Sequence, residues 1–359
     1  MNILVLPGDG IGPEVCYEAV ETLRQLCEAR GVPFETQEDH AGGSAIDAYG
    51  DPMPDSVIEK AKAADAVLLG AVGGPKWDDL TGAMRPESGL LKIRKELSVF
   101  ANLRPVAVPE TLAAASPLRP EAIAGTDLLV VRELTGGIYF GEPRERSGEA
   151  GAEVAYNTMR YSTEEIERVA RVAFTWARRR GGRLCSVDKA NVLVVSQLWR
   201  DVVTKLHAEE FSDVELSHMY VDNAAMQLVI RPSQFDVILT GNLFGDILSD
   251  AAATLGGSLG LLPSASLGGS VGLFEPVHGS APDIAGQGLA NPIAMLLSSA
   301  MMLDELEQPE LATALRAGVQ SALDAGLRTA DLHREGQTTK AGTKELSQHV
   351  REAALKALG

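Results

Sequence analysis

Ile3-Leu4-Val5-Leu6-Pro7-Gly8-Asp9-Gly10-Ile11-Gly12-Pro13-Glu14 begins as an apolar strand-like run, turns through glycines and enters a helix. That order invites a dinucleotide-binding reading, because a glycine-rich turn between strand and helix receives the pyrophosphate in a Rossmann fold. The fingerprint needs a third glycine where Pro13 stands. Proline suits the first turn of a helix, but its ring blocks the close backbone approach that a pyrophosphate requires. No Walker lysine follows either. The stretch reads as a strand-to-helix turn, and a Rossmann or P-loop enzyme is rejected.

The same alternation continues along the chain. Residues 3–6, 66–69, 127–131 and 235–239 read as strands, several of them apolar on both faces as in a covered sheet. Residues 14–29, 55–64, 163–180, 196–210, 292–307 and 344–358 read as helices. Ser162 with Glu165 makes a capping box, and Asn291-Pro292 supplies a cap and a first-turn proline. Between Tyr139 and Tyr161 the pattern changes to strand-like pieces at 137–140 and 153–160. The polar link 141–149 between them suits a protruding arm or hairpin. The expected class is α/β with helices on both sides of a sheet.

The totals bound the function. A chain of 359 residues holds two domains or one large one, with an ample core. Its net charge of −17 argues against nucleic acid or an anionic membrane as partner, so an anionic substrate needs a local cluster of arginines. Cys16, Cys27 and Cys185 are too few and too scattered for a disulfide framework or a zinc site. The first residues carry no signal-peptide pattern, and Ser298 and Ser299 break the longest apolar stretch. A soluble cytoplasmic protein is expected.

Asn242-Leu243-Phe244-Gly245-Asp246-Ile247-Leu248-Ser249-Asp250 carries two carboxylates four residues apart. On a helix they share one face, where mutual repulsion costs about 0.2–0.5 kcal/mol. A divalent cation reverses that sign, and all-oxygen ligands suit magnesium or manganese. Taken alone, the pair is more simply a solvated helix face.

Arg94 lies in a helical pattern, Arg104 follows a strand-like run, and Arg132 closes the apolar Leu128-Leu129-Val130-Val131. Each singly reads as a surface or ion-pair arginine. Together they could hold a dicarboxylate with a bidentate geometry that lysine cannot match. Tyr139, flanked by glycines in Gly136-Gly137-Ile138-Tyr139-Phe140-Gly141, is either a half-buried aromatic or a group that something approaches closely. Lys189, beside Asp188, is either a surface ion-pair lysine or a base. Asp222 starts a helix and could cap it.

Read together, four segments resemble the β-decarboxylating dehydrogenases, the family of isocitrate and isopropylmalate dehydrogenases. They are Gly136 to Arg144, Ser186 to Leu193, Asn242 to Asp250, and His278-Gly279-Ser280-Ala281-Pro282-Asp283-Ile284-Ala285-Gly286. The resemblance runs from residues 6–12 to residues 328–332. It implies a non-Rossmann fold of two α/β domains around a shared sheet, the first from residues 1–99 plus 256–359 and the second from 100–255. It further implies a homodimer, joined by helices of the second domain and the 137–160 arm, in which each active site borrows Lys189 and Asp222 from its neighbour.

The implied chemistry is an NAD-dependent oxidative decarboxylation in leucine biosynthesis, with 3-isopropylmalate as substrate. Arg94, Arg104 and Arg132 would hold its carboxylates, and Asp246, Asp250 and Asp222 a magnesium or manganese ion. Lys189, helped by Asp222, would take the hydroxyl proton as hydride leaves for NAD, and Tyr139 would return a proton after CO2 departs. Gly74, Glu87, Glu275, the loop His278, Gly279, Ser280, Ala281 and Asp283, and Asn291 would bind the cofactor. Asp283 would accept from the adenosine ribose and disfavour NADP.

Isocitrate, tartrate and homoisocitrate dehydrogenases share these parts, so the third substituent decides, read by Glu87, Leu90, Leu91 and Val192. Leu90 and Leu91 offer an apolar wall, and burying an isopropyl group there yields roughly 2 kcal/mol. Outside that chemistry stand a catalytically silent regulatory paralogue and a metal- or nucleotide-binding module without redox activity. A silent paralogue should lack one of Tyr139, Lys189, Asp222, Asp246 or Asp250, and this chain has all five.

Overall fold

Apolar runs without helical period form strands, at Asn2–Gly8, Ala66–Ala71, Asp127–Glu133 and Val237–Thr240. Their central residues are buried whichever face they point to, as strands covered on both sides must be. The computed structural model describes all residues, 1–359. It divides into two units, residues 1–99, 110–117 and 256–359 in the first and 100–109 and 118–255 in the second. The short segment 110–117 thus goes with the first unit, although it lies inside the stretch the sequence reading gives to the second.

In the first unit the strands lie in the order Glu35–Glu38, Asn2–Gly8, Ala66–Ala71, Gly272–Pro276, Pro263–Leu267. All neighbours are parallel except the last pair. The helix Ile293–Glu305 is buried nearly all round, and its Ser298 and Ser299 hydroxyls are satisfied by the carbonyls of Ala294 and Met295 one turn back. In the second unit the order is Ala101–Ala107, Asp127–Glu133, Val237–Thr240, Arg183–Asp188, Glu215–Tyr220. Here only the first pair is antiparallel. The helix Thr163–Arg179 begins with the expected capping box, Ser162 and Glu165 each bonding the other's backbone N–H.

Three local expectations are corrected. Residues 137–140 form a tight helical turn rather than a strand, closed by Gly141 N–H donating to Gly137 O at 2.9 Å. The arm is a hairpin of Glu145–Ser147 with Val154–Tyr156, so its first strand lies inside the polar link. Both strands are exposed on both faces, which leaves no hydrophobic alternation to read. Asp222 does not cap its helix: it sits in the first turn of Val221–Ile230, whose cap is Tyr220.

The helices Val221–Ile230 and Asn242–Ala253 leave Met226, Val229, Ile230 and Ile247 more than half exposed. No helix is long and apolar enough to cross a membrane.

Candidate active site

The antiparallel register sets Asn102 opposite Arg132, with Arg104 two residues along. Both arginines therefore leave the same face of the second unit's sheet. The helix Asn242–Ala253 follows the neighbouring strand, and Asp246 and Asp250 stand one turn apart on it. A Cβ on Gly245 would lie 2.6 Å from Arg132 Cγ, so only glycine lets the helix rest against the arginine stem.

Here the acid pair meets cations. Arg132 Nη1 donates to Asp246 Oδ1 at 2.5 Å, and Arg104 Nη1 donates to Asp250 Oδ1 at 2.9 Å and to Ser249 Oγ at 2.8 Å. Asn102 Oδ1 steadies Arg104 Nε at 2.7 Å. Both guanidinium groups are buried while the carboxylates remain partly open. Tyr139, carried on the Gly137–Tyr139 turn, donates its hydroxyl to Asp246 Oδ2 at 2.8 Å. Burial, and then the hydrogen bond to Asp246, push its phenol above the usual range. It stays protonated at neutral pH.

Lys189 follows the strand Arg183–Asp188 directly. The acid beside it in sequence is not its partner, because Asp188 is held by two bonds from Arg200, each 2.9 Å. Lys189 Nζ instead donates to Asp222 Oδ1 at 2.5 Å, and this bond holds Asp222 below the usual carboxylate range. The pair is separate from Asp246 and Asp250, and no cluster of three metal-ligating side chains occurs within one chain. Asp246 and Asp250 suit a hard divalent cation by donor type.

In the first unit Arg94 Nη2 donates to Glu275 Oε1 at 2.7 Å, a buried ion pair, while Arg94 Nε is buried without a partner. The helix Pro86–Glu96 carries Arg94 together with Glu87, which is exposed, and Leu90 and Leu91, which are half-buried. Val192, in the second unit, is exposed. Beside Gly74, the Gly73 N–H is fixed at 2.7 Å by Asp9, which also accepts from Gly43 and Ser44.

The loop of residues 278–283 fits a nucleotide. Gly279 has open space where a side chain would be, and Ser280 and Ala281 are small. His278 Nδ1 lies 2.9 Å from Gly279 O, so it carries the ring proton, and its buried Nε2 has no partner. Burial holds the imidazole below its usual pKa and therefore neutral. The Asp283 carboxylate makes no hydrogen bond within the chain and so caps no turn. Asn291 bonds Asp331 through Nδ2 at 3.1 Å and accepts from Ile293 N–H at 3.1 Å.

The glycine-rich start supports this loop. Ile11 N–H donates to Ser280 O at 2.8 Å, and a Cβ on Gly10, at φ +58°, would lie 1.9 Å from that oxygen. Glu14 accepts from Gly288 N–H at 3.3 Å and Ala290 N–H at 3.1 Å. Asp9, Glu14, Asn242 and Asp331 are supporting residues that the sequence reading passes over. All four lie in segments it names, but nothing in their spacing announces a role.

Comparison with known proteins adds a family. Residues 2–350 match the family model described as isocitrate/isopropylmalate dehydrogenase. A 3-isopropylmalate dehydrogenase of Salinibacter ruber is 60% identical over 98% of this chain and 96% of its own length. The crystal structure of an isocitrate dehydrogenase from Methylococcus capsulatus is similar with a TM-score of 0.85 at 33% identity, covering 98% of this chain and 99% of the other. A β-decarboxylating dehydrogenase of Thermococcus kodakarensis, in its apo form, gives 0.77 at 34% identity, covering 98% and 96%.

Proposed function

The chain belongs to the isocitrate/isopropylmalate dehydrogenase family, and on that premise we propose that it oxidises 3-isopropylmalate with NAD and releases CO2, giving 4-methyl-2-oxopentanoate in leucine biosynthesis. The cluster of Arg104, Arg132, Tyr139, Asp246 and Asp250 carries this reading. It sets two buried guanidiniums, two hard-oxygen ligands and a neutral phenol around one place.

Arg104 and Arg132, with Arg94, bind the substrate carboxylates through charge-assisted bonds. Magnesium or manganese, held by Asp246, Asp250 and the partner subunit's Asp222, would polarise the substrate hydroxyl, offset enolate charge and weaken Asp222's hold on Lys189. Lys189, as the neutral amine left once its own proton has passed to solvent, then takes the hydroxyl proton. NAD, held by Gly74, Glu87, Glu275, the loop of residues 278–283 and Asn291, would accept the hydride. Tyr139 delivers its proton to the carbon that lost CO2.

Sharing the site needs a second copy of the chain. The uncovered apolar side chains Met226, Val229, Ile230 and Ile247 support a homodimer built on that face.

Tyr139→Phe should slow overall turnover while leaving hydride transfer less affected. Equal rates for mutant and wild type from both 3-isopropylmalate and its 2-oxo intermediate would make the tyrosine structural. For the cofactor, a 2′-phosphate beside Asp283 meets a like charge costing on the order of 1–4 kcal/mol at about 4 Å. NAD should therefore be preferred over NADP by at least about tenfold, and Asp283→Lys should narrow that ratio. An unchanged NAD/NADP ratio in kcat/KM would refute the assignment.

The substrate is tested by NADH formation with 3-isopropylmalate, isocitrate and tartrate in parallel. Leu90 and Leu91 favour the first, since an unpaired carboxylate against them loses hydration without a partner. Faster turnover of isocitrate than of 3-isopropylmalate would overturn the reading.

A further inference from the structure

Asn242 begins the helix that carries Asp246 and Asp250, and it is 1% exposed. Its side-chain oxygen accepts from Arg132 Nε at 3.1 Å and from Arg132 Nη2 at 2.8 Å. Its amide nitrogen donates to Leu134 O at 3.0 Å and to Gly136 O at 3.1 Å. The amide orientation is fixed, because a flip would set NH2 against a guanidinium and oxygen against two carbonyls. Its backbone N–H donates to Tyr161 Oη at 2.8 Å.

We propose that Asn242 is a positioning residue that holds Arg132 and the Tyr139 turn in one frame. The inference rests on the roles of Arg132 and Tyr139 in the function proposed above. One edge of the guanidinium, Nε and Nη2, is fixed by the amide, which aims Nη1 at Asp246. The same amide ties down Leu134 and Gly136, the backbone that leads into Gly137–Tyr139. Asn242 touches neither substrate nor cofactor in this account. It sets the angle at which an arginine and a phenol meet one carboxylate. Buried bonds of this kind are stiff, since neither side has water as an alternative partner.

Asn242→Ser removes both sets of bonds, whereas Asn242→Asp keeps an oxygen on Arg132 and sets a repelling carboxylate oxygen against the two carbonyls in place of the donated bonds. The probe is 3-isopropylmalate binding with magnesium, followed by calorimetry, in wild type, Asn242→Ser, Arg132→Gln and the double variant. Asn242→Ser should weaken binding by about tenfold, the effect of a lost hydrogen bond to a charged group, but by less than about twofold once Arg132 is gone. Equal weakening in both backgrounds would mean a merely structural role and overturn the proposal.

Asn242→Asp should bind close to wild type and lose kcat as Tyr139→Phe does; loss of binding with kcat intact would contradict it. A crystal structure of whichever Asn242 variant folds decides the point apart from substrate identity. The Arg132–Asp246 and Tyr139–Asp246 bonds should be broken on the side each variant releases. Unmoved bonds would refute positioning even if 3-isopropylmalate proved not to be the substrate, whereas failure of wild type to bind it would refute only the substrate.

Discussion

Asp246→Asn should abolish most turnover while leaving the fold standing. Asparagine keeps an oxygen for the Arg132 hydrogen bond and can turn its amide N–H to the Tyr139 hydroxyl oxygen, and the side chain is one-third exposed, so packing barely changes. What disappears is a negative charge between a buried arginine and the proposed divalent ion. Losing one charged ligand at the point where enolate charge develops should cost roughly 3 kcal/mol or more, about a hundredfold in kcat. The measurement is kcat with saturating magnesium, beside a melting curve. Near-normal turnover in chelator-treated buffer would remove the metal from the account. A large fall in melting temperature would instead make Asp246 chiefly the counter-ion of Arg132.

Complementation is the second large effect. Lys189→Met dimers and Asp246→Asn dimers should each be inactive. After subunit exchange a heterodimer holds one intact site, with Lys189 from one chain and Asp246 from the other. Equal mixing should restore about a quarter of wild-type activity, because half the dimers are mixed and each has one working site. The separation of the Lys189–Asp222 pair from Asp246 and Asp250 within the chain motivates this expectation. No recovery despite proven exchange would place Lys189 in the same subunit's site.

The sequence was legible where one residue type has one physical use. Ser162 and Glu165 announced a helix start, and the four-residue spacing of Asp246 and Asp250 put both on one helix face. Pro13 tells against a pyrophosphate at this turn, and Gly10 proves to matter for a close approach within the chain, that of Ser280. Partnerships across the chain were not legible. Arg104 lies beside Arg132 only through an antiparallel register, and Lys189 ignores adjacent Asp188 because Arg200 already satisfies that acid. The arm itself was legible as a polar protrusion, but the bounds of its hairpin strands were not, because they bury no face. The helix Pro309–Asp324 was passed over although Pro309 marks its first turn. Asn242 heads a motif that draws attention to its carboxylates, yet its amide makes four bonds to Arg132, Leu134 and Gly136, at the end of a strand more than a hundred residues away.

The most direct test of the central claim is the product balance from 3-isopropylmalate, NAD and magnesium with the purified protein. Oxidation coupled to decarboxylation predicts equimolar NADH, CO2 and 4-methyl-2-oxopentanoate. NADH accumulating without CO2, or no NADH at all from this substrate, would contradict it.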